Sequence, residues 1–422
     1  MLALKISNRN DLESKREVLD GIARDFLNSG VENGLIRIYS YPAIESVFAS
    51  SILFFSLQRL GVHSILSIRL APPNIAEEPH ILVGYSSPKI SDNRSDYMRV
   101  CLTRKLAEPP SPNTFCLEFN SSLGVAVTSF LESTGVLTKE YSQLSLLSMY
   151  LASRGLKPVI TEIDRAYLND WLSRKGFEDI DSREELILHG IDYYTIAESL
   201  YYTLEPAIIG ITGDKESLVE EFKSLNIEHL LSKKAREIED RDMAQILRLI
   251  TRKMNDHAKK KIDPRDLVGE VIFYKRTGVD MVTLKHILYY AIAKEGSFNP
   301  VMELVYDPKS FANRYLVEYE KLVDQIDIIK RSFVRFERVR KYPWLNMYYI
   351  PGIPVELTHI IGFNLRFYGF IEEDSLVVTR KDESYITTIP EIEYGQGPML
   401  LKKLDAQMVA KISDAVVNLK NG

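Results

Sequence analysis

The chain has 422 residues and a formal net charge of -5. This length exceeds the size at which a single hydrophobic core usually stops growing, so we expect two or three domains. Hydrophobic residues make up 45% of the chain and charged residues 26%, which excludes a mostly disordered protein. The negative charge argues against a protein that coats itself in nucleic acid, so any contact with DNA is expected to be local.

Cysteine usage and hydropathy predict the compartment. The two cysteines, Cys101 and Cys116, are too few for a disulfide framework or a cysteine-rich zinc site. Residues 1–8 lack the pattern of a signal peptide, and the apolar runs are too short for a membrane span of about 20 residues. We therefore expect a cytoplasmic protein that does not contact a membrane.

Segments typical of strands and helices alternate in the first part of the chain. Strands are predicted at residues 35–39, 62–70, 80–85, 98–103 and 115–119. Helices are predicted at residues 11–28, 44–60, 122–132, 139–153, 182–202 and 215–225. This alternation indicates an α/β fold with a mostly parallel sheet and helices on both of its faces.

The rest of the chain has a different character. Residues 211–342 are mostly helical in pattern, with breaks at Pro264, Gly278, Gly296 and Pro308. Beyond them, strands are predicted at 375–379 and 385–389 and a helix at 405–419. The expected domains are therefore an α/β domain at 1–210, a helical middle region at 211–342 and a small α/β domain at 343–422.

The segment after the first predicted strand has an altered motif. Tyr41, Ala43 and Glu45 lie between that strand and a helix rich in small and aliphatic residues. The pattern resembles the first motif of the DHH phosphoesterase superfamily, His-x-Asp-x-Asp-Gly. In this alignment Tyr41 replaces the histidine, Ala43 the first aspartate and Glu45 the second. One carboxylate therefore remains of three metal ligands.

Two further motifs of this superfamily are altered in the same way. Gly84 or Tyr85 stands where the second motif has an aspartate at the end of a buried strand. Thr103, Arg104 and Lys105 stand where the family has Asp-His-His. A two-metal hydrolase needs several carboxylate and imidazole ligands, and cations at those positions would repel a divalent metal. The resemblance therefore implies no catalytic residue, no bound metal and no other cofactor.

Two later segments extend the resemblance. Asn120 precedes a helix that begins with small residues, as it often does in this superfamily, and residues 345–415 resemble the C-terminal DHHA1 domain. The glycine-rich segment of that domain has its nearest counterpart at 394–398, which contains no histidine. The chain thus resembles a degenerate, RecJ-like member of the DHH superfamily.

That resemblance implies a role in DNA replication. Degenerate RecJ-like proteins join the MCM ring and the GINS complex in the archaeal replicative helicase. We therefore expect a non-catalytic, nucleoid-associated subunit that binds GINS and MCM and contacts single-stranded DNA through a local basic groove.

A stretch of alternating basic and aromatic residues is the candidate DNA contact. The basic residues are Lys330, Arg331, Arg335, Arg338 and Lys341. Cations that alternate with aromatic rings can hold single-stranded DNA through its phosphates and bases. Alternatively, Phe333 and Phe336 belong to the core and the cations form a solvated surface, because apolar residues recur here at helical spacing.

Two other interpretations of the whole chain stay open. A divergent phosphoesterase could bind metal through Asp164, Asp192 or Asp214. An unrelated α/β adaptor could match the DHH pattern by chance. Glu45 also has a simple structural explanation, because an acidic residue in the first turn of a helix interacts favourably with the helix dipole.

Overall fold

The chain forms two compact units. The computed structural model describes residues 2–73, 78–88, 98–109, 114–134, 138–173, 179–340, 346–381 and 384–394. The first unit comprises Met1–Ser153, Pro158–Ile180 and Val301–Tyr306. The second comprises Arg154–Lys157, Asp181–Pro300 and Asp307–Gly422.

The first unit is built on a six-stranded parallel sheet with flanking helices. Its elements in chain order are β1 (Leu2–Ile6), α1 (Arg9–Ser14), α2 (Arg16–Asn33), β2 (Ile36–Ser40), α3 (Ile44–Arg59), β3 (Ser64–Ile68), β4 (His80–Val83), β5 (Arg99–Thr103), β6 (Thr114–Phe119), α4 (Leu123–Glu132), α5 (Lys139–Leu144), α6 (Leu147–Leu151) and α7 (Glu162–Ser173). The strand order is β1-β6-β5-β4-β2-β3. The carboxyl ends of all six strands therefore lie along one edge, which is where ligands of open α/β sheets usually bind.

Central strands of this sheet are buried on both faces, as expected for parallel strands covered by other elements. Every residue of β4 and β5 is buried. One row of neighbours across the sheet, Tyr39, Leu82, Cys101 and Cys116, forms a core cluster with Tyr85. Elsewhere α3 packs against α4, and the small side chains of α3 are buried in that contact region.

The second unit contains two smaller sheets and most of the remaining helices. Its described elements in chain order are β7 (Ile180–Leu186), α8 (Ile196–Tyr202), α9 (Lys215–Ser224), α10 (Asp240–Asn255), β8 (Val268–Tyr274), β9 (Val279–Asp280), α11 (Met281–Glu295), α12 (Asn299–Tyr306), α13 (Pro308–Glu320), α14 (Ile326–Ser332), β10 (Glu337–Arg338), β11 (Met347–Tyr349), α15 (Thr358–Phe367), β12 (Leu376–Lys381), β13 (Ser384–Ile386) and α16 (Ile389–Tyr394). The last six residues of α12 belong to the first unit. One sheet has the order β7-β8-β9 and the other β10-β11-β12-β13.

A buried ion pair holds the C-terminal part of this unit together. Arg366 of α15 donates two hydrogen bonds of 2.7 Å to the carboxylate of Glu391 in α16. The same carboxylate accepts the backbone N–H of Val377 in β12 at 2.7 Å. A two-pronged pair of this kind is among the stronger polar contacts in proteins, and here it fixes two helices and a strand to one another.

The predicted fold class is confirmed. The structure has the parallel N-terminal sheet, the mostly helical middle and the small C-terminal α/β part that the sequence indicated. The helix predicted at 405–419 lies outside the described residues. None of the helices in the described part combines the length and apolar character needed to cross a membrane.

Several elements differ from the sequence prediction, including the strands β8 and β9 in the region predicted to be helical. The strand β1 was missed, because its partner β6 lies more than a hundred residues away in sequence. The helix predicted at 182–202 is wrong except at its end, because the strand β7 extends to Leu186 and the helix α8 begins only at Ile196. Tertiary contacts outweigh the helix propensity of this segment. Ser182 hydrogen-bonds to Glu270 of β8, and Arg183 pairs with Asp192.

The packing of α4 gives a first testable prediction. A Cβ at Gly124 would lie 2.5 Å from Oγ of Ser148 and 2.8 Å from the carbonyl oxygen of Ser145, so there is no room for a methyl group. We expect Gly124→Ala to destabilise the protein by about 1–3 kcal/mol, measured from urea denaturation midpoints. The matched control is Gly21→Ala in α2, where nothing lies within 4 Å and the same change should be neutral or stabilising. Equal midpoints for the two variants would contradict this packing.

Candidate functional site

The altered motif positions meet at the carboxyl edge of the parallel sheet. Tyr41, Gly84 and Arg104 follow β2, β4 and β5, which are neighbours in the sheet. The N–H of Tyr41 donates to the carbonyl of Val83 at 3.0 Å, and the N–H of Gly84 donates to that of Leu102 at 2.9 Å. The strand ends are thus joined by backbone hydrogen bonds.

Gly84 leaves no space for an acidic side chain. Its φ of 82° lies in the left-handed region that favours glycine. A Cβ at this position would clash with the side chain of Ser46. The next residue, Tyr85, is buried in the core cluster, with its hydroxyl 2.7 Å from the carbonyl oxygen of Arg69. Neither residue therefore offers a metal ligand.

Glu45, the one carboxylate among the motif positions, is engaged at both oxygens. Its Oε1 accepts the backbone N–H of Leu123, the first residue of α4, at 2.8 Å. Its Oε2 lies 3.6 Å from Nη1 of Arg104. The side chain that sequence comparison places on a metal-ligand position thus caps a neighbouring helix and pairs with an arginine.

Asp164 caps the same end of α4. Its Oδ1 accepts the N–H and the hydroxyl of Ser122, both at 3.0 Å. Its Oδ2 accepts the N–H of Thr161 at 3.1 Å and the hydroxyl of Thr161 at 3.0 Å. Consecutive N–H groups, those of Ser122 and Leu123, are therefore bound by two carboxylates, of which Asp164 is buried and Glu45 is largely buried.

The remaining motif positions have structural roles or face solvent. Ala43 is the residue before the first turn of α3, and Tyr41 packs edge-on against Tyr85 with ring centroids 5.8 Å apart. Thr103 is buried, and its hydroxyl donates to the carbonyl of Lys105 at 3.3 Å. The side chain of Lys105 is exposed.

These residues do not fit the metal ions of a DHH phosphoesterase. A two-metal site needs several free carboxylate or imidazole ligands. Here Glu45 is paired with the guanidinium of Arg104, and all the oxygens of Asp164 accept hydrogen bonds from the protein. Within the described residues, no three His, Cys, Asp or Glu side chains are grouped so that they could hold a metal.

Burial governs the ionisation of Glu45. Loss of solvent raises its pKa from 4.5 to about 7, with a further upward contribution from Asp164, while Arg104 and the N–H of Leu123 act in the opposite direction. Burial also raises the pKa of Asp164, against the hydrogen bonds from Thr161 and Ser122. Burial therefore opposes a negative charge on both carboxyl groups.

The other candidate ligands are also engaged in local contacts. Asp192 pairs with Arg183. Asp214 caps α9 by accepting the N–H and hydroxyl of Ser217 at 3.0 and 2.9 Å, and these bonds lower its pKa. The structure therefore gives no support to a metal site at Asp164, Asp192 or Asp214.

The predicted DNA-binding cations are only partly brought together. Arg331 and Arg335 line one small groove. Lys330 lies 3.9 Å from Asp327, and Arg338 donates to Asn346 at 2.8 Å. Lys341 lies outside the described residues. Contact with DNA stays a prediction.

Sequence reasoning missed the partners that occupy the carboxylates. The backbone N–H groups of Ser122 and Leu123 leave no trace in a motif. The role of Asp164 was detectable, however, because Thr161-x-x-Asp164 matches the pattern in which a threonine and an acidic residue cap the start of a helix. That pattern would have assigned Asp164 to α7 before any metal was considered.

Comparisons with known proteins identify the fold. No protein-family model and no curated protein matches the sequence. The crystal structure of CDC45 from Entamoeba histolytica matches with a TM-score of 0.59 and covers 92% of this chain and 90% of the CDC45 chain. This chain has the fold of CDC45. Because the sequence identity is 10%, the CDC45 match shows the fold alone.

The exonuclease RecJ gives weaker matches than CDC45. RecJ from Thermus thermophilus in complex with Mn²⁺ covers 87% of this chain and 46% of that chain, with 11% identity and a TM-score of 0.39. A second RecJ exonuclease, bound to manganese, covers 87% of this chain and 81% of its own, with 9% identity and a TM-score of 0.38. These scores are too low to support an argument, so the fold assignment rests on CDC45.

The raised pKa of Glu45 predicts a pH-dependent contribution to stability. Its carboxyl group holds a proton more tightly in the folded than in the unfolded chain, so the resulting stabilisation is complete below about pH 4.5 and is lost as the pH rises through about 7. Glu45→Gln cannot lose this proton. We expect the stability of the variant relative to wild type to increase from about pH 5 to about pH 8, by at most about 3 kcal/mol.

Urea denaturation midpoints of both proteins across this range provide the measurement. Glu32→Gln, at an exposed position of α2, is the control for removal of one negative charge. If the difference in stability between wild type and Glu45→Gln does not change with pH, Glu45 is solvated and its pKa is not raised, which would contradict this prediction.

Proposed function

We propose that this chain is a non-catalytic subunit of a replicative helicase complex. In this role it binds GINS and MCM, the partners that its resemblance to degenerate RecJ-like proteins implies. An archaeal source and a cytoplasmic, nucleoid-associated location belong to the same proposal. Single-stranded DNA remains a predicted further ligand.

The observation that carries the proposal is that side chains of the protein bind the N–H groups at the start of α4. In the described part of the chain, the two carboxylates at the carboxyl edge bind the N–H groups of Ser122 and Leu123. The free N–H groups at the start of a helix are a ready binding site for phosphate, and here the protein's own side chains occupy them. Arg104 adds a positive charge where a hydrolase would need metal ions.

The shared fold supports the same conclusion. The match to CDC45 extends over nearly the whole of both chains, so it includes more than the N-terminal sheet. Retention of this fold, with no usable metal site among the described residues, is the pattern expected when the surfaces rather than an active site are under selection. An assembly subunit has this property, whereas a hydrolase does not.

Co-expression with GINS and MCM tests the proposal. A tagged chain should purify in a stoichiometric complex with them, and the same fractions should not degrade labelled single-stranded DNA in the presence of Mn²⁺. Glu45→Ala is included in parallel, because a genuine metal-dependent activity would be lost in that variant.

The possible results separate two explanations. A complex without nuclease activity supports a subunit that acts through its surfaces. Nuclease activity that disappears in Glu45→Ala, or failure to associate with both GINS and MCM, would contradict the proposal.

A further inference from the structure

A small groove in the second unit lies between the end of α14 and the turn that follows β11. Arg331 and Arg335 line it from one side, and residues 350–353 form the other. Its volume is about 50 Å³, which leaves room for a few water-sized groups. A carboxylate with part of a neighbouring side chain fits this space, whereas a stack of nucleobases does not.

The two arginines make the groove suitable for an anion. Arg335 is exposed, and no hydrogen bond or ion pair links it to another residue in the described part of the chain. Arg331 is also exposed and donates from Nε to the carbonyl of Asp327 at 3.1 Å, a contact that does not use its two terminal nitrogens. Guanidinium groups with free N–H bonds bind carboxylates and phosphates in a two-pronged geometry.

The walls of the groove decide between those two anions. Ile328, Ile350, Pro351 and Ile353 line it, and no aromatic residue of the described part does so. Proteins that bind single-stranded nucleic acid usually offer exposed rings on which bases stack. The nearby rings are used internally, because Phe333 and Phe336 pack edge-on against Phe370.

Aliphatic walls beside unpaired guanidinium groups match a ligand that carries an acidic and an apolar group next to each other. Val334, which precedes Arg335 in the sequence, is also 80% exposed. An acidic peptide segment with a leucine-like side chain has this composition. A nucleic-acid backbone presents phosphates and sugars but no aliphatic side chain.

We propose that this groove docks a short acidic segment of a partner protein. A carboxylate of the segment pairs with Arg331 and Arg335, and an adjacent aliphatic side chain packs against Ile328 and Pro351. The docking site goes beyond the proposed association with GINS and MCM and is tested on the full-length chain by itself, so failure of either proposal leaves the other intact.

The test uses labelled peptides and fluorescence anisotropy. The probe is a short peptide that repeats Asp-Asp-Leu, and the two control peptides repeat Asn-Asn-Leu and Asp-Asp-Ser. We expect the first to bind and each control to bind at least about tenfold more weakly, a difference of about 1.4 kcal/mol. A labelled oligothymidine is titrated in the same buffer.

Variants locate the binding. Arg331→Glu and Arg335→Glu should each weaken peptide binding about tenfold or more, and Ile328→Ser should weaken it without any change in charge. Arg248→Glu, an exposed arginine of α10 outside the groove, is the matched control and should change the affinity less than about twofold.

Three results would overturn the proposal. The Asp-Asp-Leu peptide fails to bind, or Arg335→Glu weakens its binding no more than Arg248→Glu does. The third result is that oligothymidine binds more tightly than the peptide and that its binding requires Arg331 and Arg335. The groove would then be a nucleic-acid site.

Discussion

The start of α4 is the point on which the N-terminal unit depends. A helix that begins at a sheet edge exposes backbone N–H groups, and these must be bound by a ligand, by water or by side chains. In this chain Glu45 and Asp164 bind the N–H groups of Leu123 and Ser122 from α3 and α7. The two contacts connect three helices to the strand ends, and Arg104 balances the charge that they bring.

In this arrangement the carboxylates bind backbone N–H groups and are not free to bind metal. In a phosphoesterase the carboxylates at such an edge must remain free to bind metal, which leaves them solvated and mutually repulsive. Here Asp164 is buried, Glu45 is largely buried, and both are bonded to the protein, so that loss of solvent raises the pKa of each. The guanidinium group of Arg104 lies beside Glu45, and it cannot activate water as a metal ion does. Under the proposed function the protein acts through its surfaces, and the groove at Arg331 and Arg335 is one candidate surface.

The sequence was informative where local patterns determine the outcome. Alternating apolar strands and a long helix after Tyr39 indicated the parallel sheet, and Gly84 or Tyr85 at the end of a buried strand predicted that an acidic ligand is missing there. It was uninformative where distant contacts decide, as in β1, which pairs with β6, and β7, whose charged residues resemble a helix. The partners of Glu45 belong to the same class, because Leu123 contributes only a backbone N–H that no motif records.

Direct measurement of Mn²⁺ binding to the full-length chain by electron paramagnetic resonance tests this account most directly. Bound Mn²⁺ loses the sharp six-line spectrum of the free ion, so the bound fraction can be counted. If Arg104 and the bonded carboxylates have replaced the metal site, the spectrum of Mn²⁺ mixed with an equal concentration of the chain should remain that of the free ion. Binding of one or two ions per chain that is lost in Glu45→Ala would contradict it.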